Sequence, residues 1–84
     1  MVKTLYVGNI PWTTKEEELR RLFEEYGEVY GCRIITERAT GRSKGYGFVE
    51  VNEEQAESII EQVNGFELGG RKIVVNEAKP REEH

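Results

Sequence analysis

Along the chain, apolar residues first alternate with polar ones and then recur every three to four positions, and this change of rhythm happens twice. In "TLYVG" (4–8), Leu5 and Val7 fall on one side of an extended segment, as alternation across a strand requires. Leu19, Leu22, Phe23 and Tyr26 then follow at i, i+3, i+4 and i+7, the stripe of an amphipathic helix. The Thr14-x-x-Glu17 spacing predicts a capping box at its start, and Gly27 is the expected left-handed stop. A strand is expected near 29–36, then a polar loop, "RATGRS" (38–43), and a second strand over "KGYGFVEV" (44–51). Asn52 is a good N-cap for a second helix whose stripe is Ala56, Ile59, Ile60 and Val63, ended by Asn64-Gly65. A short turn through "LGG" leads to a last strand over 71–78, with Ile73 and Val75 on one side.

The order is β-α-β-β-α-β. Each helix has a single apolar stripe, so both must lie on the same face of one sheet. The predicted fold class is therefore α+β: a ferredoxin-like split βαβ sandwich, four antiparallel strands with two helices on one face. Leu5, Val7, Val49, Val51, Ile73 and Val75 then face the helices, and Gly45 and Gly47 are expected to point the same way, where their lack of bulk admits close packing. That leaves Tyr6, Tyr46 and Phe48 on the uncovered face. Arg33 and Ile35 are expected to share it, although Gly31 in "VYGCRI" marks a bulge that shifts the register.

Eighty-four residues allow one small domain. No segment approaches the roughly 20 apolar residues of a membrane span, nor does the N-terminus read as a signal peptide. An intracellular, monomeric protein away from the membrane is expected. The single cysteine excludes an internal disulfide, and one His, at position 84, leaves no Cys/His metal cluster and no base for a nucleophile. Cys32 reads as a small core residue, and no cofactor is expected.

A net charge of −4 argues against a polyanionic partner until its distribution is considered. The segments 15–28 and 52–64, essentially the two helices, hold ten Glu against Lys15, Arg20 and Arg21. The remainder of the chain carries a balance of +3. An acidic helical side and a mildly basic sheet side follow, the acidic one a solvated surface that favours solubility. Three rings on an open sheet face are an exposed apolar patch. Cross-strand aromatic pairing that merely stabilises the sheet is one reading. The cations around the rings, Lys44, Arg33, Arg42, Lys72 and Lys79, favour another, a surface that stacks bases and neutralises phosphates. Trp12, after Pro11, is expected to pack as a hydrophobic staple on the first helix, with stacking of a further base as the alternative.

"KGYGFVEV" resembles the octapeptide of the RNA recognition motif at every specified position but the last, where Val51 replaces an aromatic, and "LYVGNI" (5–10) resembles its companion hexapeptide. The resemblance covers nearly the whole chain and implies one RNA recognition motif over 1–80 with a frayed tail at 81–84. It implies a non-catalytic module for single-stranded RNA, with single-stranded DNA as a further ligand, because stacking ignores the sugar. By position, Tyr6 and Phe48 resemble the two base platforms, Tyr46 the ring that packs on sugars, and Lys44 the cation for a phosphate. Asn9, Arg33 and Arg42 join the expected RNA contacts, and Asn76, Ala78 and Lys79 are expected at base edges. Alternation places Val51 in the core, so the departure leaves the RNA face alone.

Two rival functions are weaker. The peptide-binding branch of the same family has an acidic first helix, lacks the octapeptide aromatics and carries Arg-x-Phe after the second helix. Here the helix is acidic, but the aromatics are present and the triplet is Arg71-Lys72-Ile73. Small phosphatases share the fold class, but "GNIPWTT" (8–14) offers no Gly-rich anion cradle with a basic residue.

Overall fold

The computed structural model describes residues 1–78. Its elements are β1 (Val2–Gly8), α1 (Glu16–Glu24), β2 (Val29–Thr36), β3 (Ser43–Asn52), α2 (Glu53–Val63), β4 (Glu67–Leu68), β5 (Arg71–Lys72) and β6 (Val74–Glu77). The main sheet has the order β2-β3-β1-β6, antiparallel throughout, so that the two strands carrying the motif segments lie side by side in its centre. Leu5, Val7, Val49, Val51 and Val75 are fully buried, as are Leu19 and Phe23 from α1 and Ile59 and Val63 from α2. Each such side chain contributes about 1.5–3 kcal/mol by leaving water. Val51 lies in this core, as alternation requires.

α1 begins one residue later than the Thr14 box predicts. Thr14 N–H is committed to Pro11 C=O (3.0 Å), closing a turn, and the first helical bond runs from Leu19 N–H to Lys15 C=O (3.1 Å). The side chain of Glu18 accepts from Lys15 N–H (2.9 Å), so the box is set by Lys15 and Glu18. Gly27 is not left-handed. A Cβ there would come within 2.9 Å of both Gln55 Oε1 and Ile59 Cδ1, so the residue is small because α2 crosses it closely. The second helix follows the prediction: Asn52 Oδ1 accepts from Glu54 N–H (2.8 Å), and Gly65 after it has φ +87°.

The final strand is broken where one continuous strand was expected. Ile73, 1 % exposed, donates its N–H to Phe66 C=O (2.9 Å) and accepts at its C=O from Gly65 N–H (2.8 Å). Its backbone is thereby paired with the segment after α2 and leaves the β1 ladder. Arg71 and Lys72 form a small hairpin with Glu67 and Leu68, turning through Gly69 and Gly70, both at positive φ.

Two irregularities shape the β2–β3 pair. The register shifts by one residue between Val29 and Gly31, the bulge expected in that segment. A larger shift separates Ile34↔Gly47 from Thr36↔Ser43, and Gly45, with φ +86°, lies in the bulged stretch. Gly47 does not make room for a helix, contrary to expectation. A Cβ on it would collide with the Arg33 carbonyl oxygen and sit 3.0 Å from Ile34 Cα, so its smallness serves the neighbouring strand. Gly47→Ala should therefore destabilise the fold by about 1–3 kcal/mol, the usual cost of overpacking. Urea unfolding of the two proteins checks this, and an unchanged midpoint would contradict it.

Candidate nucleic-acid interface

Residues paired directly across an antiparallel sheet share a face. Arg33↔Phe48, Phe48↔Tyr6 and Tyr6↔Asn76 therefore form one row spanning all four strands on the side away from the helices. Tyr46 joins the two central rings. The three centroids are 5.9–6.1 Å apart, with Phe48 edge-on to both tyrosines and Tyr6 and Tyr46 tilted by 33°. The Arg33 guanidinium lies 5.8 Å from the Phe48 centroid, within cation–π range. All three rings are partly exposed.

The surroundings add features that the motif does not contain. The Tyr6 ring leans over Gly8: a Cβ there would be 2.6 Å from its hydroxyl oxygen and 2.8 Å from its ring edge. Val74, opposite Gly8, is 41 % exposed and extends the apolar surface beside Tyr6. Alternation from the buried Ile73 and Val75 could have revealed it. On the other side of the aromatic row stand Thr4, Glu50 and Gly31, with a Glu50 carboxylate oxygen 2.6 Å from where a Gly31 Cβ would be. That carboxylate is an acceptor that repels phosphate, so one end of the face favours donors and the aromatic row stays next to cations.

The other expected site residues are placed as follows. Lys44 and Arg42 are exposed, on the far side of the Gly45 bulge from Tyr46, and Arg42 lies in the loop joining β2 to β3. Ala78 is half-buried and continues the β1 ladder by donating its N–H to Thr4 C=O (3.0 Å). Lys79 and the tail 81–84 lie outside the described residues. Asn9 is on the surface but already engaged, and sequence reading missed its structural work. Its backbone is left-handed (φ 58°), its Nδ2 donates to Lys72 C=O (2.8 Å), and its Oδ1 accepts from Arg71 Nε and Nη2 (3.1 and 2.8 Å). It ties the end of β1 to the β4–β5 hairpin.

Cys32 is half-buried against the core, its Sγ 3.6 Å from Glu16 C=O. Burial first, and the Glu16 carboxylate second, push its thiol up to about 11. No group of three or more Cys, His, Asp or Glu suited to a metal occurs among the described residues.

An open antiparallel sheet with a contiguous aromatic row and a cationic margin defines a single-stranded nucleic-acid-binding type of surface. The family model for the RNA recognition motif matches residues 5–74, and the chain belongs to that family. It is 47% identical over 77 residues to glycine-rich RNA-binding protein 8 of Arabidopsis thaliana, covering 90% of this chain and 46% of that protein. It is 44% identical over 81 residues to the putative RNA-binding protein RbpD of Nostoc, covering 95% and 86%. Among solved structures, RNA binding protein PG1 superposes with a TM-score of 0.88 at 45% identity, covering 96% of this chain and 99% of that one. The chain spans about half the length of the first curated relatives it matches.

Two outcomes are expected from these contacts. Asn9→Ala removes the side-chain bonds to β5 and leaves a left-handed non-Gly residue, and should cost about 1–3 kcal/mol in thermal or urea unfolding. Asn9→Gly should recover only the backbone part. Because burial keeps the Cys32 thiol protonated above the ordinary value of 9.0, the fold is unaffected by it below pH 9 and loses stability as pH rises from there toward about 11, where the unfolded thiol ionises and the buried one does not. Its alkylation near neutral pH should be roughly a hundredfold slower than that of an exposed thiol, and a fast reaction would contradict the burial.

Proposed function

We propose that this chain is a single-stranded RNA-binding module that acts by binding and performs no chemistry. The observation that carries the reading is the trio Tyr6, Tyr46 and Phe48, mutually in contact on the uncovered face with Arg33 over Phe48. Membership of the family and the names of its relatives support it. So does the solved Rna15 RNA recognition motif with bound RNA (GU), to which this chain superposes with a TM-score of 0.81 at 31% identity, covering 95% of this chain and 86% of that one.

In this reading Tyr6 and Phe48 each carry a base, and Tyr46 packs on the sugars between them. Lys44 and Arg42 meet phosphates, and Arg33 borders the Phe48 base. Asn76, directly opposite Tyr6, reads a base edge by its side chain, and Ala78 by its backbone. Asn9, held by Arg71 and Lys72, serves by fixing the loop beside the site. Lys79 is assigned a phosphate or base-edge contact by family resemblance alone.

Stacking supplies roughly 1–3 kcal/mol per base, so two platforms give about 4 kcal/mol, a dissociation constant near 1 mM on their own. Phosphate, sugar and edge contacts lower it into the micromolar range for a site of about two to four nucleotides. Useful targeting in a cell then calls for repeated sites or a partner.

Fluorescence anisotropy of a labelled, randomised single-stranded RNA tests the reading. The Tyr6→Ala/Phe48→Ala variant should keep the circular dichroism of the native protein and bind tenfold or more weakly, as about 1.4 kcal/mol of lost stacking requires. Two or three neutralised phosphates should give a slope of log K against log salt of about −1.4 to −2. Equal binding by both proteins would remove the sheet from the mechanism and turn attention to the acidic helices.

A further inference from the structure

Trp12 does not form the expected staple on α1: its indole is 74 % exposed, beside Gly45 near the start of β3. The polar group that bears on base choice stands toward the other end of that strand. Glu50 lies two residues past Phe48 and on the same open face, since the pairs Thr4↔Glu50 and Gly31↔Glu50 continue the register of the aromatic row. Its carboxylate reaches over β2 to Gly31, where a Cβ would sit 2.6 Å from Oε1, so the missing side chain leaves the space that the carboxylate occupies. Glu50 is exposed, and no cation pairs with it among the described residues.

Thr4, Gly31, Cys32, Arg33, Phe48 and Glu50 line a hollow of about 300 Å³, and of these Cys32 alone turns toward the core. The hollow thus holds a stacking ring, an acceptor-only carboxylate and, in Arg33, 5.8 Å from the Phe48 centroid, a donor-only guanidinium. Two residues at about 3.3 Å each, roughly 7 Å, separate Phe48 from Glu50 along the strand. That is about the half-width of a purine plus one hydrogen bond. Arg33 flanks Phe48 from the neighbouring strand, so acceptor and donor meet a stacked base on two adjoining edges.

The four bases differ in what they offer such a pair. Guanine sets two donors, N1–H and its 2-amino group, side by side to match the two oxygens of a carboxylate, and its O6 and N7 acceptors on the adjoining edge take an arginine. Uracil has one donor between two carbonyls, while adenine and cytosine each set an amino group beside an unprotonated ring nitrogen, which a carboxylate repels. We propose that Glu50 makes the Phe48 platform selective for guanine, with Arg33 on the adjoining edge. The inference rests on the sheet being an RNA platform and specifies which base its Phe48 position takes.

Fluorescence anisotropy tests this with labelled RNAs of about five nucleotides: an all-adenosine strand, the same strand with one central guanosine, and the same with inosine, which lacks the 2-amino group. The native chain should bind the guanosine strand about tenfold more tightly than the adenosine strand, the discrimination of one bidentate pair, and inosine should lose most of that gain. Glu50→Gln removes the charge, whereas Gly31→Ala keeps it but crowds the carboxylate from its place. Each should bring the guanosine and adenosine strands within about threefold and bind the adenosine strand no more weakly than the native chain does. Both should keep the native circular dichroism, because Glu50 is exposed and the atoms nearest a Gly31 Cβ all belong to the Glu50 side chain. Tyr6→Ala/Phe48→Ala should weaken every strand, which tests the platform separately. The inference is overturned if the native chain shows no preference for guanosine, if inosine binds as tightly as guanosine, or if the preference survives in Glu50→Gln. Equal tightening of every strand by Glu50→Gln, an effect of charge alone, overturns it too and leaves the sheet reading standing. Failure of the native chain to bind any of the strands overturns both.

Discussion

The pairing of β1 with β3 decides which side chains meet solvent, and the rest of the molecule follows from it. Leu5 faces Val49 and Tyr6 faces Phe48 in consecutive registers, so one pair enters the core while the next is turned out. A slip of a single residue would exchange the two sets. What prevents the slip is the burial of Leu5, Val7, Val49 and Val51 against both helices, a gain of several kcal/mol that no arrangement with those residues outside can match. The aromatic row is therefore exposed because the aliphatic row is buried. The rings on that open face contact one another.

Glycines set the fine geometry of that face by leaving space for backbone and rings. Gly47 lets the β2 carbonyl at Arg33 approach β3, and this closeness brings the Arg33 guanidinium over Phe48. Gly8 lets the Tyr6 ring lie flat along its own strand, and Gly45 turns the end of β3 toward the loop that holds Trp12. A side chain at Gly8 or Gly47 would displace a neighbour, and one at Gly45 would strain a left-handed backbone (φ +86°).

Both helices, the side of the sheet each strand residue faces and the identity of the aromatic row were legible in the sequence because each rests on a local period, 3.6 or 2. The misreadings share one cause: a choice between local options settled by distant groups. Thr14-Glu17 and Lys15-Glu18 are overlapping boxes at the same helix start. Pro11 C=O, by taking Thr14 N–H, and Ile34 N–H, by taking the Glu16 carboxylate, favour the later start. The last strand breaks at Ile73 because Gly65 and Phe66 claim its backbone from across the fold. Gly27 looked like a helix stop and is instead a crossing point with Gln55 and Ile59. The bonds of Asn9 to Lys72 and Arg71, more than sixty positions away, were likewise beyond any local pattern.

Charge is divided between the faces in a way that the total conceals. On α1, Arg20 and Arg21 pair with Glu24 and Glu17 one turn away, so most of the helical side's few cations are spent locally and its acidic excess is left to solvent. Arg33, Arg42, Lys44 and Lys72 make no ion pair with a described residue. At long range an RNA meets a chain of net charge −4 and is repelled; within a Debye length of the sheet it meets cations beside aromatic rings. Repulsion at a distance depresses loose, purely electrostatic association, and in the proposed binding mode what survives is held by stacking. Binding of the proposed kind would give up affinity and gain discrimination between unpaired bases, which offer a π-face, and duplex backbone, which offers only phosphate.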